Sequence, residues 1–155
     1  MKICVFSDSH GSSIQMKQAV RREKPDFVLF LGDGERDLPA LRQAFPDLPL
    51  QAVRGNCDVF SELPQELVLT LDGVRFFLTH GHRYGVKTDR RLESLKDAAR
   101  KNKAQAVLFG HTHEAFTEWD GGLLILNPGT ARGLRPTGGV LEIEGGRIAA
   151  RLIDL

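Results

Sequence analysis

The sequence predicts an α/β fold in which two packed sheets are flanked by helices. In the first part of the chain, short apolar runs alternate with helical patterns, as in parallel strands joined by right-handed crossovers. In the second part, Asp72-Gly73 separates two strand-like runs, which is a strong hairpin signal. We therefore expect a mainly parallel half followed by a mixed half.

The first half contains strands and helices in strict alternation. A serine at position 12 or 13 can cap the first helix, in which Met16, Ala19 and Val20 form a buried stripe before Pro25 ends it. Pro39 lies in the first turn of the second helix, where proline is tolerated. The predicted order is strand 2–7, helix to Pro25, strand 26–31, helix 36–45 and strand 49–53.

The second half mixes hairpins with one further helix. In the helical segment, Leu92, Leu95, Ala98 and Ala99 recur at helical spacing and predict its buried face. The predicted elements are strands 67–71 and 75–79, helix 88–101, and strands 104–109, 115–119, 123–126, 139–143 and 147–153.

Composition excludes several classes of protein. Hydrophobic residues make up 41% and charged residues 26% of the 155 residues, so a disordered or fibrous chain is not expected. The net charge of +1 provides no patch for binding nucleic acid, and no apolar run approaches the roughly 20 residues of a membrane span. With two cysteines, Cys4 and Cys57, and no signal-peptide pattern, we expect one domain, 1–155, in the cytoplasm.

Potential metal ligands follow five of the predicted strands. They are Asp8 with His10, Asp33, Asn56 with Asp58, His80 with His82, and His111 with His113. Because sites in open α/β sheets collect at the carboxyl ends of parallel strands, these side chains are expected to converge. Any one group could be an ordinary polar loop, but together they predict a metal site.

The ligand types favour two divalent ions. Imidazoles, carboxylates and an amide oxygen are too many ligands for one tetrahedral ion, and they suit manganese, iron, nickel or zinc. Asp33 is the expected bridging ligand, since one carboxylate can serve two cations. Ions roughly 3.5–4 Å apart can hold a hydroxide and clamp a phosphoryl oxygen, so the expected reaction is attack of that hydroxide on a phosphate ester.

The ordered motifs resemble those of the calcineurin-like metallophosphoesterase superfamily. They are Asp8-Ser9-His10, Gly32-Asp33, Gly55-Asn56-Cys57-Asp58, His80 and Gly110-His111-Thr112-His113. Asn127-Pro128-Gly129-Thr130 is similar to a motif of the small, single-domain, YfcE-like phosphodiesterase branch. This motif either offers backbone amides near the site or is a rigid turn. The resemblance implies a four-layer α-β-β-α sandwich of two mixed sheets flanked by helices.

The same resemblance implies a role for each ligand. One ion would be bound by Asp8, His10, Asp33 and His113, and the second by Asp33, Asn56, His80 and His111. Mn²⁺ is the expected ion, with Ni²⁺, Fe²⁺ or Zn²⁺ as alternatives. The implied activity is hydrolysis of a small phosphate ester, more specifically a phosphodiester, by in-line attack of a metal-bridging hydroxide, with Asp33 and Asn56 in the catalytic set.

Other residues near the motifs have less certain roles. Cys57 stands where many superfamily members carry a histidine that protonates the leaving group. His82 is either a substrate contact or proton donor, or a structural residue. Asp58 either orients Asn56 or a ligating histidine, or caps a loop. Arg54 and Cys57 are candidate substrate-binding residues.

Two alternative functions remain open at this point. One is a non-catalytic protein-interaction scaffold of the same fold, similar to the retromer subunit, and the other is a phosphomonoesterase. Loss of metal ligands would be expected in a scaffold, whereas the ligand set is intact in this sequence. Members of the branch commonly form oligomers, so a dimer or tetramer is possible.

Overall fold

Two five-stranded mixed sheets form the centre of the molecule, which a computed structural model describes over residues 1–155. The strands are β1 Lys2–Phe6, β2 Phe27–Phe30, β3 Leu50–Ala52, β4 Glu66–Leu71, β5 Val74–Thr79, β6 Ala106–Leu108, β7 Ala115–Asp120, β8 Leu123–Pro128, β9 Thr137–Glu144 and β10 Arg147–Asp154. The helices are α1 Ile14–Glu23, α2 Leu38–Ala44 and α3 Glu93–Lys101, with short 3₁₀ turns at Glu35–Asp37 and His82–Tyr84.

The first sheet has the order β10-β9-β1-β2-β3. Strands β1, β2 and β3 are parallel, as the alternation of strands and helices predicts. Strands β9 and β10 add to this sheet as an antiparallel pair, with Cys4 opposite Val140. The expected division into a parallel half and a mixed half is therefore incomplete, because the last hairpin returns to the first sheet and makes it mixed.

The second sheet has the order β4-β5-β6-β8-β7. Strands β5, β6 and β8 are parallel, while β4 and β7 pair antiparallel at the two edges. The predicted hairpin is confirmed, with Leu71 opposite Val74 around the Asp72-Gly73 turn.

The two sheets pack face to face and bury one apolar core between them. Its members come from both sheets and include Ile3, Val5, Leu29, Phe76, Leu78, Leu108, Leu124 and Leu141. Helices α1 and α2 cover the outer side of the first sheet through Met16 and Leu41. Helix α3 covers the second sheet through Leu95 and Ala99. The predicted four-layer α-β-β-α sandwich is confirmed.

Helix α3 begins at Glu93, five residues later than the pattern predicts. Leu92 has a left-handed backbone with φ 55°, which interrupts helical geometry just before the first turn. The carboxylate of Asp89 instead accepts hydrogen bonds from the backbone N–H groups of Arg91 and Glu93 at 3.0 and 2.8 Å.

None of the helices is long and apolar enough to cross a membrane.

Candidate metal centre

The predicted ligands follow strands of both sheets. Asp8 and His10 follow β1, Asp33 follows β2, His80 follows β5, and His111 and His113 follow β6. All of these except His80 have a positive φ, between 41° and 69°. Left-handed backbone is uncommon for non-glycine residues, so these turns hold the side chains in a conformation that costs free energy and is typical of functional sites.

The Asp8 carboxylate is buried and has one oxygen without a hydrogen bond. Its Oδ2 accepts hydrogen bonds from the Ser7 hydroxyl at 2.5 Å and from the His111 backbone N–H at 3.1 Å. Its Oδ1 is buried and has no hydrogen-bond partner. A buried anionic oxygen without a partner is costly, because the charge has lost its hydration.

Three imidazoles surround that free oxygen. The distances from Asp8 Oδ1 to Nε2 are 3.1 Å for His113, 3.6 Å for His10 and 3.9 Å for His80. The Nε2 atoms of His10 and His113 lie 3.3 Å apart. Asp8, His10 and His113 thus place one carboxylate oxygen and two ring nitrogens around a common point.

A second cluster lies beside the first and contains Asp33, His80 and His111. Asp33 Oδ2 is 3.2 Å from His80 Nε2, and His80 Nε2 is 3.2 Å from His111 Nδ1. The other ring nitrogen of His80, Nδ1, lies 2.7 Å from the carbonyl oxygen of Leu31. A proton on Nδ1 would be donated to that carbonyl, and the Nε2 lone pair would then face the cluster.

Asp33 belongs to both regions of the site. Its Oδ1 accepts a hydrogen bond of 2.8 Å from the backbone N–H of Cys57, which leaves Oδ2 facing His80. It also groups with His10 and Cys57 at the first cluster. This position between the two clusters is the one expected of a bridging ligand.

Burial and neighbouring charges shift the pKa values of three site residues in different directions. Burial alone would raise the pKa of the Asp33 carboxyl, but hydrogen bonds from His80 and Cys57 hold it below its ordinary value. Burial alone would lower the pKa of His80, yet the hydrogen bond with Asp33 and the charges of Asp8 and Asp33 raise it. Burial and the neighbouring His80 lower the pKa of His111 to about 4, so it is neutral at pH 7 and available as a ligand.

These residues fit divalent metal ions. Asp8 Oδ1 is buried without a hydrogen bond, and the Nε2 atoms of His10 and His113 lie beside it, 3.3 Å from each other. A cation at each cluster would satisfy them. Imidazole nitrogen and carboxylate oxygen are typical ligands of the manganese-to-zinc group.

Asp58 anchors the loop that carries Asp33. Its carboxylate accepts four backbone hydrogen bonds, from Asp33 and Gly55 at 2.8 Å and from Gly34 and Glu35 at 3.0 Å. Asp58 therefore holds the backbone of Asp33, whereas the sequence suggested Asn56 or a histidine as the residue that it orients.

Gly55 is required by the close approach of two loops. A Cβ at this position would lie 2.0 Å from Asp33 Oδ1 and 2.5 Å from the Asp33 backbone nitrogen. Any side chain would therefore displace Asp33, the carboxylate that the two clusters share.

The remaining predicted residues lie around the clusters. Asn56 is exposed, and its Nδ2 lies 3.5 Å from Cys57 Sγ. The His82 ring centroid is 5.5 Å from that of His80, and its buried Nδ1 has no hydrogen-bond partner. Arg54 is half-buried and donates to the carbonyl oxygen of Ser61 at 3.3 Å.

Cys57 is exposed at the edge of the first cluster. Burial of its thiol and the charges of Asp33, Asp58 and Asp8 raise its pKa, so the sulfur is a neutral thiol at pH 7.

Sequence reasoning missed the residues that support the histidine loop. Asn127 donates to the carbonyl oxygen of Gly110 at 3.0 Å and to the Thr112 hydroxyl at 2.9 Å, and so fixes the turn between His111 and His113. The Thr130 hydroxyl donates to the carbonyl oxygen of Asp8 at 2.8 Å. The motif Asn127-Pro128-Gly129-Thr130 was the available signal, and its side chains, more than its backbone amides, carry the support.

This chain is similar to known phosphoesterases. The model of the calcineurin-like phosphoesterase superfamily domain matches residues 1–146. The phosphodiesterase MJ0936 of Methanocaldococcus jannaschii is 35% identical, over 93% of this chain and 94% of that protein. The phosphodiesterase YfcE of Escherichia coli is 30% identical, over 84% and 79% respectively.

Solved structures show the same fold. A predicted phosphoesterase from Streptococcus pneumoniae superposes with a TM-score of 0.81 at 28% identity, covering 99% of this chain and 88% of that one. Vps29 of Entamoeba histolytica, complexed with Zn²⁺, superposes with a TM-score of 0.78, covering 99% of both chains. At 23% identity, that second likeness is evidence of the fold alone.

Proposed function

Because this chain belongs to the calcineurin-like phosphoesterase superfamily, we propose that it hydrolyses phosphodiesters at a centre of two divalent metal ions. The observation that carries the proposal is the buried Asp8 Oδ1, which lacks a hydrogen bond and faces the ring nitrogens of His10 and His113. The adjacent cluster of Asp33, His80 and His111 supports a second ion.

Each ion has a proposed set of ligands. Asp8, His10 and His113 would bind the first ion, and His80 and His111 would bind the second. Asp33 would contribute to both, and Asn56 would complete the second set by turning its amide oxygen toward the ion.

When bound, the two ions would supply an activated hydroxide and neutralise negative charge on the phosphoryl oxygens. The protein contributes orientation. Leu31 holds the ring of His80, and the Cys57 amide holds the carboxylate of Asp33. Asp58 fixes the backbone on which Asp33 stands, so that these groups need little rearrangement when substrate binds.

A diester is the proposed substrate for two reasons. MJ0936 and YfcE are both named phosphodiesterases. In addition, the exposed Cys57 thiol is a weak proton donor, because its pKa is raised. An enzyme without a strong acid at this position should prefer leaving groups that depart without a proton. His82 and Arg54 are proposed to contact the substrate, with His82 the better placed because its ring adjoins His80.

The alternative, a non-catalytic scaffold, is less well supported. The likeness to Vps29 concerns the fold, whereas the relatives MJ0936 and YfcE, at 35% and 30% identity, are named phosphodiesterases. We further propose a cytoplasmic location, consistent with the free cysteines Cys4 and Cys57. A dimer or tetramer is also proposed.

A metal and substrate screen tests the proposal. The protein would be purified anaerobically and loaded with Mn²⁺, Ni²⁺, Fe²⁺ or Zn²⁺, and its bound metal would be measured by mass spectrometry. We expect about two ions per chain, with bis-p-nitrophenyl phosphate hydrolysed faster than p-nitrophenyl phosphate. Asp33→Asn is the matched variant and should lose metal and activity together.

Three results would contradict the proposal. The absence of bound metal after reconstitution would argue against the centre itself. Bound metal without hydrolysis of either ester would favour the scaffold. A faster reaction with the monoester would reverse the assigned preference.

A further inference from the structure

We propose that Phe60 is a stacking surface for a nucleobase, so that the natural substrate is a phosphodiester with a nucleoside on its phosphate. This inference rests on the proposed function and identifies the class of substrate for the same site. The supporting observation is that a single cleft is lined both by Phe60 and by residues of the metal centre.

A single cleft of about 690 Å³ contains both features. Its lining includes His10 and Asp33 of the metal centre, together with Cys57, Val59 and Phe60 of the neighbouring loop. A phosphate group would fill only a small part of this volume, which lies within the usual range of about 300–1,000 Å³ for sites that bind small organic molecules. The cleft therefore has room for a sizeable group attached to the phosphate.

Phe60 is held in an exposed position beside that space. Its side chain is 99% exposed, and its φ is 59°, which is a rare conformation for a bulky residue. Asp58, two residues earlier, is anchored by four backbone hydrogen bonds, and the Val59 N–H donates to the carbonyl oxygen of Cys57 at 3.1 Å. The ring is thus presented on a short, anchored loop, with both faces free.

The rest of the lining favours a nucleoside over a lipid. Pro39, Val59 and Phe60 are the hydrophobic members, and most of the others are polar or charged. The side chains of Glu35 and Arg36 make no hydrogen bond or ion pair within the protein and remain available for sugar hydroxyls and base edges. An acyl chain would leave these groups desolvated, whereas a base can stack on one aromatic ring and leave its polar edge in water.

The net charge limits the size of the substrate. At +1, the chain has no excess of basic residues that could follow a long phosphate backbone. We therefore assign a nucleotide-sized diester and not a polynucleotide.

A pair of diesters with the same leaving group tests the inference. The substrates are the p-nitrophenyl ester of thymidine 5′-monophosphate and methyl p-nitrophenyl phosphate, both assayed with the Mn²⁺-loaded protein. Phe60→Ala should lower kcat/KM for the thymidine ester by about 5- to 160-fold, the range expected for loss of base–aromatic stacking. It should leave the methyl ester within about twofold, and Trp119→Ala, which removes an exposed aromatic ring on β7, should change neither.

A binding measurement gives a readout independent of turnover. Phe60→Trp in a Trp119→Phe background leaves a single tryptophan at the cleft. With the Zn²⁺-loaded protein, thymidine 5′-monophosphate should quench its fluorescence with saturation, whereas inorganic phosphate should not.

The possible failures are distinguishable. Equal losses for both esters in Phe60→Ala, or no loss for either, would overturn the stacking role while the phosphodiesterase stands. A shift of Phe60→Ala from dimer to monomer in size-exclusion chromatography would show that a second copy covers the ring, and would also overturn it. If no variant hydrolyses any ester, the proposed function fails, and the fluorescence titration alone decides whether a base binds.

Discussion

Removing the carboxylate of Asp58 should weaken the fold and the metal centre together. The four backbone N–H groups that it binds belong to Asp33, Gly34, Glu35 and Gly55. Hydrogen bonds to a charged group contribute roughly 1.5–3 kcal/mol each when buried. These groups are only partly buried, so we take about 1 kcal/mol per bond, or about 4 kcal/mol for Asp58→Ala.

The conservative variant should have about half of this effect. In Asp58→Asn, Oδ1 can still accept from Gly34 and Glu35, but an NH₂ group replaces the oxygen that faces Asp33 and Gly55. The expected loss is about 2 kcal/mol. For a chain of this size, the two variants should lower Tm by about 8–16 °C and about 4–8 °C respectively.

Metal affinity provides the second measurement. Because Asp58 holds the backbone of Asp33, its loss should weaken Mn²⁺ binding by about 10- to 100-fold in a calorimetric titration. Asp97→Asn is the control, since Asp97 is exposed on α3 and its side chain forms no hydrogen bond or ion pair. If Asp58→Asn matched the wild-type protein in urea unfolding and in Mn²⁺ affinity, the positioning role of Asp58 would be refuted.

Three further predictions concern other parts of the molecule. Gly55→Ala should reduce bound metal by at least tenfold with the fold retained, because the added Cβ would displace Asp33. Circular dichroism measures the fold, and mass spectrometry measures the bound metal. Full metal occupancy in this variant would contradict the displacement of Asp33. Hydrogen bonding from Arg151 lowers the pKa of Glu23. The interaction between these two side chains should therefore contribute up to about 1 kcal/mol to the free energy of unfolding above the ordinary glutamate pKa. This contribution should disappear as the pH falls through the lowered pKa. Urea unfolding of Glu23→Gln should therefore show a loss of stability at pH 7 that shrinks as the pH falls below the ordinary glutamate pKa, and a loss that stays constant with pH would argue against this linkage. His82→Ala should keep its bound metal and lose about 10- to 100-fold in kcat on a diester, whereas unchanged turnover would make His82 structural.

The positions of the proposed ionisable ligands could be predicted because each follows a strand of recognisable pattern. The hydrophobic pattern of the strands and the turn residues that follow them place Asp8, Asp33 and His80 at strand ends. Parallel pairing of the strands then brings those ends together. The support around them could not be predicted in the same way. Asp58 binds N–H groups from two separate loops, and Asn127 reaches the turn after Gly110. These contacts depend on tertiary packing, which the local sequence pattern does not predict.

The placement of the last hairpin could not be predicted for a related reason. Strand β9 has the composition of an ordinary strand, and its pairing with β1 joins residues more than 130 positions apart, such as Lys2 and Glu142. Nothing in the local sequence selects β1 as its partner over an edge of the second sheet.

That long-range pairing bears on when the centre can form during protein synthesis. All the proposed ligands lie between Asp8 and His113, so the ribosome has made every one of them before it reaches β9 at Thr137. Strand β1, however, has β9 as its neighbour on one side. Strands that are distant in sequence pair only after a long loop has closed. The nascent chain would therefore contain all the proposed ligands before the first sheet is complete. We expect metal to be acquired late, once the final hairpin has docked, and a chain that stops before residue 137 to release metal far more readily than the whole protein.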